Sequence, residues 1–334
     1  MTTPAFLITI DTEEDNLWFS PRSRTTENAR WLPRFQALCE RYGLKPTYLT
    51  NYGMATSPVF QSFARETSRR EACEIGMHLH AWNTPPIRPL TDDDDLYHPY
   101  LIEYPAEAIG EKVRYMTRLL EDVFERKMTS HRAGRWAIDG RYVRCLEECG
   151  YAVDCSVTPG ISWKEHLGKP GGEGGADYTG CPHEPYYLDV DDVRRPGHSG
   201  VLEVPVTIVA NSPRAADWLR AKVRPSSRIN VALNRWYPAV TWLRPNGWNR
   251  RGMLRVLETA RAERRSFVEF MLHSSELMPG GSGTCRDEQS LDRLYRHIES
   301  VFKVASRSFR PAALTEFAAA VPAPPRAPEA ARSE

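Results

Sequence analysis

The sequence predicts an α/β fold built as a parallel βα barrel, and three observations carry that prediction. Seven short β-type runs follow one another along the chain. Amphipathic stretches of helical period lie between them, the alternation that generates a parallel sheet. Polar residues able to do chemistry (Asp11, His78, His80, Arg132, Asp154 and His273) stand at or just beyond the C-terminal ends of the runs. In a βα barrel every strand points the same way, so side chains far apart in sequence meet at one rim. One composite site is therefore expected.

The first run, residues 6–10, is apolar and empties into a cluster of acids. A helical stretch over 27–42 follows and stops at Gly43, where glycine supplies the left-handed backbone that closes a helix. The second run is 47–50 and the third 74–80, halted by Pro85 and Pro86. The helical stretch 106–127 leads to the run 129–132, and 138–149, stopped at Gly150, leads to 151–155. The run 201–209, the helical stretch 252–265 and the run 267–273 complete the series.

Two segments break the rhythm. Residues 159–200 are rich in Gly and Pro, including Gly171-Gly172-Glu173-Gly174-Gly175, and read as a long loop near the rim. Residues 211–252 are a basic, Trp-rich insertion. There Arg214, Arg220, Lys222, Arg224, Arg228, Arg235, Arg244, Arg250 and Arg251 face a lone acid, Asp217, with Trp218, Trp236, Trp242 and Trp248 interleaved. The expected organisation is one barrel domain over 1–320 that carries this insertion, then an Ala/Pro-rich tail over 321–334 with the composition of a disordered segment.

Composition excludes some roles. Lys and Arg number 44 against 43 Asp and Glu, a formal charge of +1, so no overall field would hold a polyanion and no nucleic-acid partner is expected. No basic leader precedes the apolar run over 5–10, which is too short for a signal peptide or a membrane span. A cytoplasmic address without a transmembrane segment is expected. Seven cysteines without any C-x-x-C read as reduced thiols, and Cys145 and Cys149 as packed side chains on one helix face.

The chemistry is concentrated at the strand ends. Asp11-Thr12-Glu13-Glu14-Asp15 offers two carboxylates at spacing two, which a metal hydrolase needs, one to hold the cation and one to take a proton from water. Strand alternation puts His78 and His80 on one face, from which two imidazoles can turn toward one cation. In Ser130-His131-Arg132-Ala133-Gly134-Arg135-Trp136, an arginine beside a carboxylate would keep that group ionised and fix its orientation. His273 closes an apolar strand at the same rim, where an imidazole can protonate a departing amine. His98, His166, His183 and His198 sit in loops and receive no role.

In order, and from about Ala5 to Leu277, these residues resemble the motifs of the polysaccharide deacetylase, or NodB-homology, family of carbohydrate esterases. Thr9-Ile10-Asp11-Thr12-Glu13 is similar to the family's Thr-Phe-Asp-Asp-Gly with the second acid displaced by one. His78-Leu79-His80 stands where the family has two histidines separated by three residues. Arg132 to Trp136 resembles the third motif, Asp154-Cys155-Ser156 the fourth, and Met271-Leu272-His273 the fifth, Leu-x-His. The resemblance implies a distorted (β/α)7 barrel, which agrees with the seven runs. It implies Asp11 as base, Arg132 as the residue orienting it, His273 as acid, and Glu13, His78 and His80 as metal ligands, with Asp15 the substitute for Glu13. It also implies Trp82, Arg135, Trp136 and Asp154 as substrate contacts. The cofactor would be a divalent metal, zinc first, with Fe, Ni, Co or Mn served by the same donors.

The activity so implied is a metal-dependent deacetylase, hydrolysing a non-peptide C–N amide on an amino sugar. The expected substrate is a nucleotide-linked, lipid-linked or small glycosidic intermediate in surface-polysaccharide or natural-product biosynthesis. The insertion could cover the rim, with arginines, Arg250 and Arg251 among them, clamping phosphate and indoles stacking on sugar. An oligomer interface or peripheral contact with a membrane are its other expected uses. Two readings share these residues: a deformylase or other non-sugar amidohydrolase, and a sugar-binding protein that has lost catalysis.

Overall fold

Period-two alternation along the first strand already divides the molecule into layers. In β1 (Ala5–Thr12), Phe6, Ile8 and Ile10 face outward into a large core shared with the helices, whereas Ala5 and Leu7 face an inner apolar cluster. The computed structural model describes residues 3–15, 24–168, 172–211, 218–219, 222–223, 227–229 and 239–323. Arg214, Asp217, Arg220, Arg224, Arg235, Trp236 and residues 324–334 of the tail lie outside the described residues.

The further strands are β2 (Pro46–Thr50), β3 (Glu74–Leu79), β4 (Ser130–Ala133), β5 (Val153–Asp154), β6 (Tyr186–Tyr187), β7 (Leu202–Glu203), β8 (Ile208–Ala210), β9 (Val240–Trp242), β10 (Phe267–His273) and β11 (Arg310–Pro311). Seven of them run parallel in the order β10-β1-β2-β3-β4-β5-β7, a curled sheet that forms a half-barrel. These seven are the runs marked in the sequence. β6 adds antiparallel to β7, and β11 pairs with β1. Register sets the neighbours at the rim: Asp11 lies opposite His273, and His78 opposite Arg132.

The run expected over 201–209 is broken in the structure. Pro205 has no N–H to give a ladder, and beyond it the chain leaves β7 to form an antiparallel ribbon of β8 with β9. That ribbon spans the open side of the half-barrel. The Leu243 N–H donates to the Thr207 carbonyl at 3.2 Å, and the Met271 N–H donates to the Leu243 carbonyl at 3.2 Å. Residues 243 and 244 are thereby held against β10 at the rim.

Helices α1 (Leu32–Arg41), α2 (Pro58–Arg69), α3 (Ala106–Phe124), α4 (Gly140–Glu148), α5 (Arg250–Ala262) and α6 (Glu288–Ser308) cover the outside. α6 buries Leu291, Leu294, Tyr295, Ile298, Val301, Phe302 and Ala305, the spacing of one helical face. Gly43 and Gly150 have φ of 64° and 86°, as helix-closing residues require. Neither α2 nor α6 is among the stretches marked in the sequence. A last short helix, α7 (Leu314–Ala318), seals the N-terminal end of the barrel: Leu314, Phe317 and Ala318 join Ala5, Leu7, Leu49, Val153, Leu202 and Phe267. No helix of the described residues is long and apolar enough to cross a membrane.

The Phe317 ring centroid lies 5.5 Å from that of Phe267. Phe317→Ala should therefore cost about 3–5 kcal/mol, as removal of a buried aromatic does, read as a lowered urea midpoint. A midpoint unchanged by the substitution would mean that α7 does not close the barrel.

Candidate active site

Above the apolar floor the interior turns polar. Thr9, Glu269 and Arg132 form a buried layer, and Asp11, Glu13, His78, His80 and His273 form the rim above it. A cavity of about 290 Å³ opens there, lined by Asp11, Glu13, His78, His80, Tyr100, Ala133, Arg135, Trp136, Trp163, His166, Arg244 and His273.

Three of these residues could hold a cation. Both imidazole Nε2 atoms approach Glu13 Oε2, His80 at 2.9 Å and His78 at 3.4 Å. One donor atom from each of the three residues lies within 4.8 Å of the others. His78 Nδ1 stands 2.9 Å from the Arg132 carbonyl. A carbonyl only accepts, so Nδ1 carries a proton and Nε2, on the Glu13 side, is the nitrogen left to ligate a cation, the orientation that metal-ligating histidines use. Glu13 is held from the other side: its N–H donates to Ser274 Oγ at 3.1 Å, and Asn28 Nδ2 donates to its carbonyl at 2.9 Å. Burial alone would raise the Glu13 carboxyl, but the surrounding imidazoles, His273 foremost, hold it well below its ordinary range. One carboxylate oxygen and two imidazole nitrogens, gathered on one side with open space opposite, fit a divalent cation that keeps free coordination positions.

Asp11 is built differently. Its Oδ1 accepts from Arg132 Nη1 at 2.6 Å, and Oδ2 faces His273 Nε2 at 3.6 Å. Arg132 is fully buried, and its Nη2 also donates to Thr9 Oγ1 at 2.9 Å and to Glu269. One guanidinium therefore serves two carboxylates. Burial tends to raise the Asp11 carboxyl, and the charges of Arg132, His78 and His273 together more than offset it, leaving the group lowered. Glu269, where burial wins, is pushed up to about 7.

His273 meets a second arginine. Arg244 Nη2 lies 2.8 Å from its Nδ1, and the same nitrogen donates to Glu276 Oε1 at 3.1 Å. Burial would raise Glu276, but Arg244 and His273 bring it down to about 2. The opposite wall is the loop after β4, where Arg135 and Trp136 both take the left-handed backbone conformation, at φ of 54° and 55°. Such strain persists only where the surroundings impose it. Here the Ala133 N–H donates to Ser156 Oγ at 2.8 Å, and the Tyr178 hydroxyl donates to the Trp136 carbonyl. The Trp136 ring stacks on Trp163 with centroids 5.1 Å apart.

The structure departs from several expectations. Asp154 is not in the cavity. Val153 and Cys155 point into the barrel, so alternation turns Asp154 outward, where it is fully buried against His131 Nδ1 at 2.6 Å and Ser156 Oγ at 2.9 Å. Trp82 does not line the cavity but packs behind it, 4.4 Å from the His80 ring. Asp15 does not substitute for Glu13, because Oδ1 accepts from Asn28 and Oδ2 from Thr25. Arg250 and Arg251 are exposed in the first turn of α5 and do not line the cavity; among the described insertion residues, Arg244 does. His166, given no role in the sequence, is part of the wall, as are Tyr100 and Trp163. No spacing rule marks those three. Glu269 did carry a signal, since it shares the inward face of β10 with His273 at four residues' distance.

No family model and no curated protein matches the sequence. Solved structures do match. A candidate polysaccharide deacetylase from Mycobacterium smegmatis is 16% identical with a TM-score of 0.55, the match covering 98% of this chain and 95% of that one. A candidate glycoside hydrolase/deacetylase from Parabacteroides distasonis is 11% identical with a TM-score of 0.59, over 95% of this chain and 71% of that one. The 4-alpha-glucanotransferase of Thermococcus litoralis is 12% identical with a TM-score of 0.53, over 96% of this chain but 41% of that one. At these identities the likeness is one of fold: the chain has the half-barrel fold of polysaccharide deacetylases.

The donor geometry makes a direct prediction for metal analysis of the purified protein. Glu13→Ala and His78→Ala should each weaken affinity for a divalent cation by more than about 100-fold, beyond the usual loss from an outer-shell change. Asp15→Asn should leave affinity unaltered. The reverse ranking would move the carboxylate ligand to Asp15.

Proposed function

We propose that this chain is a metal-dependent hydrolase that removes an acyl group, acetyl first, from an amino sugar. One observation carries the reading: the Glu13–His78–His80 cluster, the arginine-held Asp11 and His273 border a single cavity at the C-terminal rim of a half-barrel. A divalent cation bound by Glu13, His78 and His80 would supply Lewis acidity, making water a nucleophile near neutral pH and polarising the scissile carbonyl.

The remaining steps belong to the side chains. Asp11 takes a proton from water at Oδ2, because Oδ1 is committed to Arg132. Arg132 keeps Asp11 anionic and fixes its plane, and its own position is over-determined by Thr9, Glu269 and the Cys155 carbonyl, which accepts from Nε at 3.0 Å. His273 presents Nε2 toward the same space and donates a proton to the departing amine. Trp136, Trp163 and Tyr100 offer flat apolar faces suited to a sugar ring. Arg135 and Arg244 at the same cavity favour a substrate that bears an anionic group, so a nucleotide- or lipid-linked amino sugar made inside the cell is the class we favour.

Incubation of the zinc-loaded protein with N-acetylated amino sugars, free and nucleotide-linked, should release acetate. Chelation should abolish the release and added Zn2+ restore it. Asp11→Asn should lower kcat/KM by about 10²- to 10⁴-fold, the usual contribution of a positioned base, with metal content retained. Release of formate from N-formyl substrates, with no acetate from the N-acetylated sugars, would move the activity to a deformylase. Tight sugar binding with neither metal nor product would leave only the sugar-binding reading.

A further inference from the structure

We propose that the exposed surface around Trp248, where α5 begins alongside α6, docks this chain on an anionic lipid bilayer. The inference goes beyond the hydrolase reading and does not depend on it.

Trp248 is the most exposed large apolar side chain among the described residues, at 75%. A hydrogen-bonded turn holds it out. Asn246 Oδ1 accepts the backbone N–H groups of Trp248 and Asn249, each at 2.9 Å, and Asn249 Oδ1 accepts the N–H of Asn246 at 3.1 Å. Gly247 supplies the left-handed residue of the turn, at φ of 78°. The same turn begins at Arg244, which lines the cavity, so the surface adjoins the rim.

Cations surround the indole. Arg293 Cζ, from α6, lies 4.0 Å from its ring centroid. Arg250 and Arg251 occupy the first turn of α5, which contains no acid and has no side-chain cap. Basic residues at that end meet the positive pole of the helix, which destabilises it unless anions are near. α6 sorts its charges by flank. Asp292 and Glu299, seven residues apart, face α1, where Arg34 and Arg41 take them at 2.7 and 3.2 Å. Arg293, Arg296 and His297 turn toward solvent and α5. Burial and the charges of Arg250, Arg293 and Arg296 hold the His297 imidazole below its ordinary range, which shows how closely these cations gather. Exposed arginines elsewhere are paired, Arg30 with Glu27, Arg88 with Glu111 and Arg144 with Asp191. Among the described residues, Arg250, Arg251, Arg293 and Arg296 have no ion pair.

Charge and apolarity together select the partner. Guanidinium groups pair with phosphate oxygens, and an indole beside them is stabilised at the boundary between headgroups and acyl chains. The 211–252 stretch also exposes Trp218 at 62% and Ile229 at 53%, with Lys222 Nζ 4.7 Å from the Trp218 ring centroid. A soluble polyanion would neutralise the arginines but leave these apolar side chains in water. A second copy of the chain, meeting this face with its own, would set like charges against each other. An anionic bilayer satisfies both the charges and the apolar surface.

The test uses the full chain and sucrose-loaded vesicles of phosphatidylcholine, alone or with about one-third phosphatidylglycerol, separated by sedimentation. The chain should bind the anionic vesicles and not the neutral ones, and its affinity should fall at least about 10-fold between about 0.05 and 0.5 M NaCl. The triple variant Arg250→Ala, Arg251→Ala, Arg296→Ala should lose about 100-fold in affinity with an unmoved urea midpoint, and Arg144→Ala should lose none. Brominated acyl chains should quench tryptophan fluorescence, and part of that quenching should vanish in Trp248→Phe. Absence of binding to the anionic vesicles, equal binding to the neutral ones, or wild-type affinity in the folded triple variant would overturn the proposal. So would binding to heparin without binding to vesicles, which would assign the surface to a soluble polyanion. If the triple variant does not fold, Trp248→Phe decides, because quenching unchanged in that variant places Trp248 outside the bilayer. No step reads turnover, so the outcome is separate from that of the hydrolase reading.

Discussion

A single buried guanidinium organises the interior of this half-barrel. Arg132 stands between Asp11 and Glu269 and donates to both, helping to hold Asp11 ionised in the low-dielectric interior even though burial wins at Glu269. Its backbone matters as much as its side chain. The parallel register of β3 with β4 puts the Arg132 carbonyl beside His78 Nδ1, so one residue orients both the candidate base and a candidate metal ligand. The two halves of the site are coupled through one peptide unit.

The layers beneath explain why this arrangement holds. Apolar residues fill the floor, α7 closes it, and water has no route to Arg132 from below. In such surroundings each hydrogen bond to a charge is stronger and each unmade one more costly, which favours a single fully connected pattern. The rim is less uniform. Strain at Arg135 and Trp136 is imposed by two hydrogen bonds reaching in from Ser156 and Tyr178, and the same loop carries one wall of the cavity. Asp154, absent from the cavity, contributes there indirectly by holding Ser156.

The likeness to solved deacetylase structures lies in the curled sheet and its helices, at identities between 11% and 16% for the two deacetylase-type matches. Divergence of that size leaves room for new solutions at the rim. Two candidate ligands at spacing two, His78 in β3 and His80 just past its end, and a third from the turn after β1 gather three donors without a helical spacing between the histidines. The insertion adds a cation behind His273.

Much of this was legible in the chain itself because the period of a strand is local. Alternation placed His78 with His80 on one face, glycine marked where helices stop, and acids, imidazoles and an arginine at run ends identified the rim. The same rule, applied to β5, shows that Asp154 must face away once the inward face of that strand is known, and applied to β10 it points to Glu269. What the chain alone left open was everything set by packing between distant segments: the break at Pro205, the choice of Glu13 over Asp15, the place of Tyr100, Trp163 and His166 in the wall, and the approach of Arg244 to His273. Local sequence decides which way a side chain points from its own strand. Only the closed barrel, by fixing register and bringing loops across tens of residues into contact, decides what that side chain meets.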